Sequence, residues 1–199
     1  MTLYSDNHCP ENHCVRWVVA EKGIYYDLQL ADIQSTPPQL IKMNPYKEGI
    51  TFVDREVVLY EAQIIFEYLD ERFPHPPLMP VDPVSRANNR LCRYRIQRDL
   101  YNHVKVLERG SSKKAMATAR RKMRENLTSL APILAQKPFF MSDEFSLMDC
   151  YLVPLLWRLP AFGIELPRQA EPLLNYAHRL FNREAFQTCL TKIEREMRI

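Results

Sequence analysis

Phe73-Pro74-His75-Pro76-Pro77-Leu78-Met79-Pro80-Val81-Asp82-Pro83 is the stretch on which the reading of the whole chain turns. Proline fixes φ and has no backbone N–H, so neither a helix nor a central strand runs through five prolines in ten residues. The segment is a boundary: residues 1–73 form one domain, 74–83 a proline-rich linker, and 84–199 a second domain.

Upstream, the hydrophobic period changes repeatedly, as alternating strands and helices require. Thr2 to Ser5 reads as a strand. His13 to Lys22 reads as a helix with Val15, Val18 and Val19 on its apolar side and Gly23 at its end. Tyr25 to Leu30 is expected as a strand, and Pro37-Pro38 opens a short helix through Met43. Thr51 to Val53 and Val57 to Tyr60 form a hairpin about Asp54-Arg55-Glu56. A helix from Glu61 to Phe73 follows, with Ile64, Ile65, Tyr68 and Leu69 at helical spacing. The order is βαβαββα.

Downstream, every periodic segment is helical: Val84 to Glu108, Lys113 to Gln136, Leu147 to Phe162, Glu171 to Asn182 and Glu184 to Arg198. Ser146-Leu147-Met148-Asp149 places a hydroxyl and an acid three residues apart, immediately before the apolar run Cys150 to Leu159, which is the pattern of a capped helix start. An α/β domain followed by an all-helical domain results.

Composition narrows the function classes. With 199 residues, 46% hydrophobic and 26% charged, the chain buries a real core and is not disordered. No apolar run reaches the roughly 18–20 residues of a membrane helix, and the start lacks a signal-peptide pattern, so a cytoplasmic protein with no membrane partner is expected. Five cysteines (Cys9, Cys14, Cys92, Cys150, Cys189), odd in number and widely spaced, suit reduced thiols. Residues 1–80 carry 6 Lys/Arg against 12 Asp/Glu, and residues 81–199 carry 21 against 12. From Arg86 to Arg124, 13 basic residues face only Asp99 and Glu108, a surface that favours an acidic partner. No DNA-reading module is present, so direct sequence-specific DNA binding is not expected. The His8, Cys9, His13 and Cys14 cluster matches no closed tetrahedral spacing, and no metal is expected there.

The element order, the proline linker, the helical second domain and the SLMD cap together resemble the glutathione transferase fold, with a thioredoxin-like first domain. Within that superfamily, VVAEKG (18–23), EYLDERFPHPPLMPV (67–81), SDEFSLMDCYL (142–152), PLLWRLP (154–160) and EREMR (194–198) closely resemble the bacterial stringent starvation protein A family. That resemblance implies a homodimeric, non-enzymatic regulator of transcription. It would bind RNA polymerase holoenzyme, through the sigma factor and adjacent core subunits, under starvation or stress. It also implies that Pro74, His75 and Pro76, with Pro77, belong to the polymerase-binding surface. Tyr68, before this ridge, and Arg90 and Tyr94, on the next helix, are the further partner-binding candidates.

The same resemblance marks a vestigial glutathione site and implies no cofactor. Cys9 stands at the thiol-activating position, seven residues before Arg16, as in omega-type transferases. If Cys9 caps the following helix, its thiolate becomes reactive. A glutathione-dependent thiol transferase using Cys9 is therefore the alternative function. Cys9-Pro10 is also similar to half of a glutaredoxin motif, but the next cysteine, Cys14, comes five residues on. Ile50 stands where the family has its cis-proline, so the Gly49–Ile50 bond is expected to be trans. Glu61 keeps the family's acid, while Ala62 replaces its serine.

Overall fold

A computed structural model of the protein describes residues 1–30, 42–46 and 50–198. The chain divides into two compact units, Met1–Pro77 with Glu184–Met197, and Leu78–Arg183 with Arg198.

The first unit holds a four-stranded sheet of order β2-β1-β3-β4, made of β1 (Thr2–Ser5), β2 (Asp27–Leu30), β3 (Thr51–Asp54) and β4 (Val57–Leu59). β2 runs parallel to β1, with Leu3 opposite Leu28, and β3 runs antiparallel to it, with Leu3 opposite Phe52. Leu3 and Phe52 are fully buried. β2 begins at Asp27, two residues later than expected, and Tyr25 is 95% exposed.

Helix α1 (Pro10–Glu21) starts three residues before the expected His13, because Pro10 occupies the first turn, where its missing N–H costs nothing. Val15, Trp17, Val18 and Val19 are its buried face. Gly23, at φ +61°, ends it, and Ile24 N–H returns to the Val19 carbonyl. Helix α2 (Ala62–Arg72) buries Ile65, Phe66 and Leu69, whereas Ile64 is 56% exposed. The expected helix from Pro37-Pro38 and the Gly49–Ile50 bond lie outside the described residues, apart from helical Lys42 and Met43.

The second unit is helical: α3 (Pro83–Ile96), one π-helical turn (Gln97–Tyr101), α4 (Asn102–Glu108), α5 (Lys113–Leu134), α6 (Leu147–Trp157) and α7 (Glu171–Phe181). The π turn interrupts the helix expected from Val84 to Glu108. α6 ends at Trp157, short of the expected Phe162, and all its side chains are buried. Its start is the capping box expected from the sequence. Ser146 Oγ accepts from Met148 N–H at 3.2 Å, and Asp149 Oδ2 accepts from Ser146 N–H at 2.8 Å. The other Asp149 oxygen accepts from Phe140 N–H at 2.9 Å and Tyr176 O–H at 2.7 Å. Burial pushes the Asp149 carboxyl up from its ordinary value, and these donors offset only part of the rise.

The helix expected from Glu184 to Arg198 is two helices, α8 (Glu184–Thr188) and α9 (Lys192–Glu196), and both belong to the first unit instead of the helical one. The break has a local cause. Thr191 Oγ1 accepts from Glu194 N–H at 3.2 Å and Glu194 Oε2 accepts from Thr191 N–H at 2.9 Å, a second capping box that restarts the helix. α8 packs on α1 through Phe186, whose ring lies 4.7 Å from His13 and 4.9 Å from Trp17. Among the described residues, no helix is long and apolar enough to cross a membrane.

Candidate functional site

The proline segment is held from inside the first unit. Lys22, at the C-terminus of α1, is 7% exposed, and its ammonium donates to Asp70 Oδ1 (2.6 Å), the Phe73 carbonyl (2.7 Å) and the Pro76 carbonyl (2.6 Å). An ammonium has three N–H donors and all are used here. Asp70 compensates the buried charge, while the carbonyls fix the two ends of Phe73–Pro76. Pro74, His75, Pro76 and Pro77 are exposed on the outer side of this anchor. The ridge is not extended throughout, because the His75–Pro76 peptide is cis and the chain bends at His75 and Pro76.

Tyr68 lies one turn back on α2, donating its hydroxyl to Asp54 Oδ2 at 2.8 Å. Arg72 Nε lies 3.9 Å from the same oxygen. Tyr68 lines an open groove with Leu59, Gln63, Ile64, Glu67 and Glu71. Arg90 and Tyr94 lie on α3 in the second unit, both exposed, and Tyr94 Oη accepts from Arg98 Nη1 at 3.3 Å.

The Cys9 neighbourhood differs from the sequence expectation in one respect. Cys9 is the N-cap residue of α1, but its side chain makes no capping hydrogen bond. Asp6 organises the loop instead, its Oδ1 accepting from the N–H groups of His8 and, at 2.9 Å, of Cys9. The part-buried Cys9 thiol faces Glu11 Oε2 at 3.9 Å. Ile50 is 5% exposed, and its carbonyl accepts from Asn44 Nδ2 at 3.2 Å. Glu61 caps α2, accepting from Gln63 N–H at 3.3 Å, and Ala62 is 2% exposed. Among the described residues, no group of three or more His, Cys, Asp or Glu side chains is placed to hold a metal ion.

A buried charge cluster, absent from the sequence reading, supports this region. Arg16 is fully buried and donates to Glu194 Oε1 (2.5 Å), the Asp6 carbonyl (3.0 Å), the Cys189 carbonyl (3.2 Å) and Ser5 Oγ. His13 Nδ1 lies 3.8 Å from the same Glu194 oxygen. The sequence signal that was available is Thr191-Lys192-Ile193-Glu194, a capping-box pattern inside a segment read as one helix.

The thiol of Cys189 beside this cluster is pushed up from 9.0 to about 12, chiefly by burial, with Arg16 opposing the shift and Glu194 adding to it. A native thiol that holds its proton longer than the unfolded one contributes stability that is complete below the unfolded value. That stability drains away as pH rises toward the folded one. Unfolding free energy should therefore fall by about 2 kcal/mol more in the wild type than in Cys189→Ala between roughly pH 8 and pH 10.5, read from urea midpoints. Equal alkaline slopes would contradict this.

Comparison with known proteins agrees with the architecture. Family models for the glutathione S-transferase N-terminal and C-terminal domains match residues 1–71 and 89–184. Over 199 residues the chain is 45% identical to a stringent starvation protein A homolog of Coxiella burnetii, covering 100% of this chain and 95% of that protein. It is 44% identical over 191 residues to a homolog of the same name from Pasteurella multocida, covering 96% and 90%. In three dimensions it is similar to the Tau class glutathione S-transferase of mango, Mangifera indica, with TM-score 0.84 at 21% identity over 99% of this chain and 95% of that one, a likeness of fold alone. With this fold and near full-length identity of this order, the chain belongs to the stringent starvation protein A family, on the glutathione S-transferase architecture.

Proposed function

We propose that this protein is a cytoplasmic, non-enzymatic transcription regulator that docks, as a homodimer, on RNA polymerase holoenzyme during starvation or stress. The sigma factor and adjacent core subunits are its points of contact. The observation that carries the reading is the ridge Pro74-His75-Pro76-Pro77, exposed on its outer side and tied on its inner side to a buried ammonium. A surface fixed in advance loses little conformational entropy on binding, so its contact energy goes into affinity. Tyr68, Arg90 and Tyr94 supply the polar and aromatic chemistry common at protein interfaces.

The residues at the ancestral ligand site support docking over turnover. Glutathione needs hydrogen-bond partners at its γ-glutamyl end. Here Glu61 Oε1 accepts from Gln63 N–H at the start of its own helix, and Ala62 offers no hydroxyl. Ile50 is packed in the core with its carbonyl held by Asn44. Each lost hydrogen bond to a charged group weakens binding by about 1.5–3 kcal/mol, or roughly 10- to 100-fold.

Capture of purified holoenzyme by the wild type and by Pro74→Ala/His75→Ala/Pro76→Ala is the test. The wild type should retain holoenzyme and the triple variant should lose at least about tenfold, equivalent to about 1.4 kcal/mol. Failure of the wild type to bind defeats the proposal. Glutathione-dependent disulfide reduction that disappears in Cys9→Ala would instead establish the thiol transferase.

A further inference from the structure

The helical unit contains a cavity of about 270 Å³, walled by α3, the π turn, α5 and the tip Phe140–Met141. Its floor is apolar. Ile96, Leu100 and Phe140 are buried around it, and Leu130 and Ile133 are half-buried. Two hydrogen bonds fix the walls. Asn126 Nδ2 on α5 donates to the Asp99 carbonyl in the π turn at 2.8 Å, and Phe140 N–H donates to Asp149 Oδ1 at 2.9 Å. Met141, 61% exposed at the rim, has φ +53°, in the left-handed region that side-chain-bearing residues seldom enter. Paired backbone bonds between Phe139 and Ser142, at 3.1 and 3.3 Å, hold it there. A concave apolar hollow with fixed walls and few polar groups is the ordinary form of a small-molecule site.

The polar groups on the wall decide what fits. Asn126 and Ser129 already donate to main-chain carbonyls, which leaves Arg95 and Asp99 as the charged groups a ligand meets. These two stand four residues apart, so their side chains leave the same flank. Both are exposed, and among the described residues neither is held in an ion pair. Arg98 and His103 feel the Asp99 charge without pairing with it. The Arg95 charge reaches the cavity wall, where it opposes the rise that burial gives the Cys92 thiol. A lone carboxylate would be drawn to Arg95 and repelled by Asp99, and a lone amine the reverse. A molecule with both charges on one carbon and an apolar tail satisfies guanidinium, carboxylate and floor together.

We propose that this cavity binds a free α-amino acid with an apolar side chain. Its carboxylate meets Arg95, its ammonium meets Asp99, and its side chain lies on the apolar floor.

The test is isothermal titration of the full-length protein with L-leucine and, separately, L-phenylalanine. The wild type should bind at least one of them. Glycine, with the same charges and no tail, should bind at least about tenfold more weakly. The same loss is expected for 4-methylpentanoate, which lacks the ammonium of leucine, and for 3-methylbutylamine, which lacks its carboxylate. Arg95→Gln and Asp99→Asn should each weaken amino-acid binding by about 10- to 100-fold, the worth of a hydrogen bond to a charged group. Because both side chains are exposed, circular dichroism of these variants should match the wild type. Pro74→Ala/His75→Ala/Pro76→Ala should bind the amino acid as the wild type does, so failure of holoenzyme capture and failure of this site are read separately. Absence of binding by the wild type at millimolar amino acid overturns the proposal. So does equal binding by the wild type and both charge variants. Equal binding of the singly charged analogues overturns it too, and marks the hollow as a nonspecific apolar surface.

Discussion

Glu194→Ala should cost the first unit about 3–5 kcal/mol, the largest loss expected from any single substitution in the protein. The reason is what the variant leaves behind. Arg16 is fully buried, and Glu194, 2.5 Å away, is the carboxylate that pairs with it. Taking a guanidinium out of water is expensive, and removing its counter-charge strands it among carbonyls that stabilise a cation but do not neutralise it. The same substitution removes the carboxylate that caps α9, since Glu194 Oε2 also accepts from Thr191 N–H. Domains are stable by only about 5–15 kcal/mol, so a fall of this size should be plain in a urea midpoint. The pair can be distinguished from a mere packing role with Arg16→Met/Glu194→Met, which removes both charges together. That variant should recover part of the loss, and strict additivity of the two single effects would contradict an ion-pair origin.

Lys22→Met should destabilise by a similar 3–5 kcal/mol and, unlike the first substitution, should also weaken holoenzyme capture. Methionine approximates the aliphatic stem but leaves the Asp70 carboxylate, 8% exposed, without its cation. It also frees the Phe73 and Pro76 carbonyls, which are held at 2.7 and 2.6 Å. Those two bonds set the shape of the ridge, so binding should fall although no exposed residue has changed. Urea denaturation reads the first effect. Capture at a temperature where the variant is still folded reads the second. Full capture by a folded variant would show that the ridge keeps its shape without the ammonium.

The glutathione S-transferase architecture was legible because its signals are local. Five prolines in ten residues mark the boundary whatever lies in space around them, and Val15, Val18 and Val19 declare the inner face of α1 by spacing alone. Ser146 and Asp149 announced their capping box for the same reason, since both partners lie within one turn. The errors fall where two local signals compete. Glu184 to Arg198 has helical periodicity throughout, and the capping box at Thr191 wins because it satisfies amides that a continuous helix would have bonded otherwise. Pro10 began α1 earlier than its first apolar residue suggested, since a first-turn proline costs no hydrogen bond. Cys9 occupies the cap position as read, but Asp6 supplies the hydrogen bonds there.

The candidate site was legible only as a set of names. Pro74, His75 and Pro76 were marked by composition and by resemblance, and nothing in the sequence tied them to Lys22, 51 residues from Phe73 and 54 from Pro76. The basic character of α4 and α5 was visible as a count. Which α5 side chains are buried was decided only by packing.

The sequence by itself determined the fold class, the limits of α2, α5 and α7 to within two residues, and the charge of each half, because propensity, periodicity and capping act between residues a few positions apart. Only the tertiary structure decided that Arg16 meets Glu194 across 178 residues and that Lys22 meets Asp70 across 48, and so why α8 and α9 belong with the sheet. The physical reason is that burying a charge obliges it to find a partner, but any exposed acid along the chain meets that obligation equally well until packing brings one of them within reach.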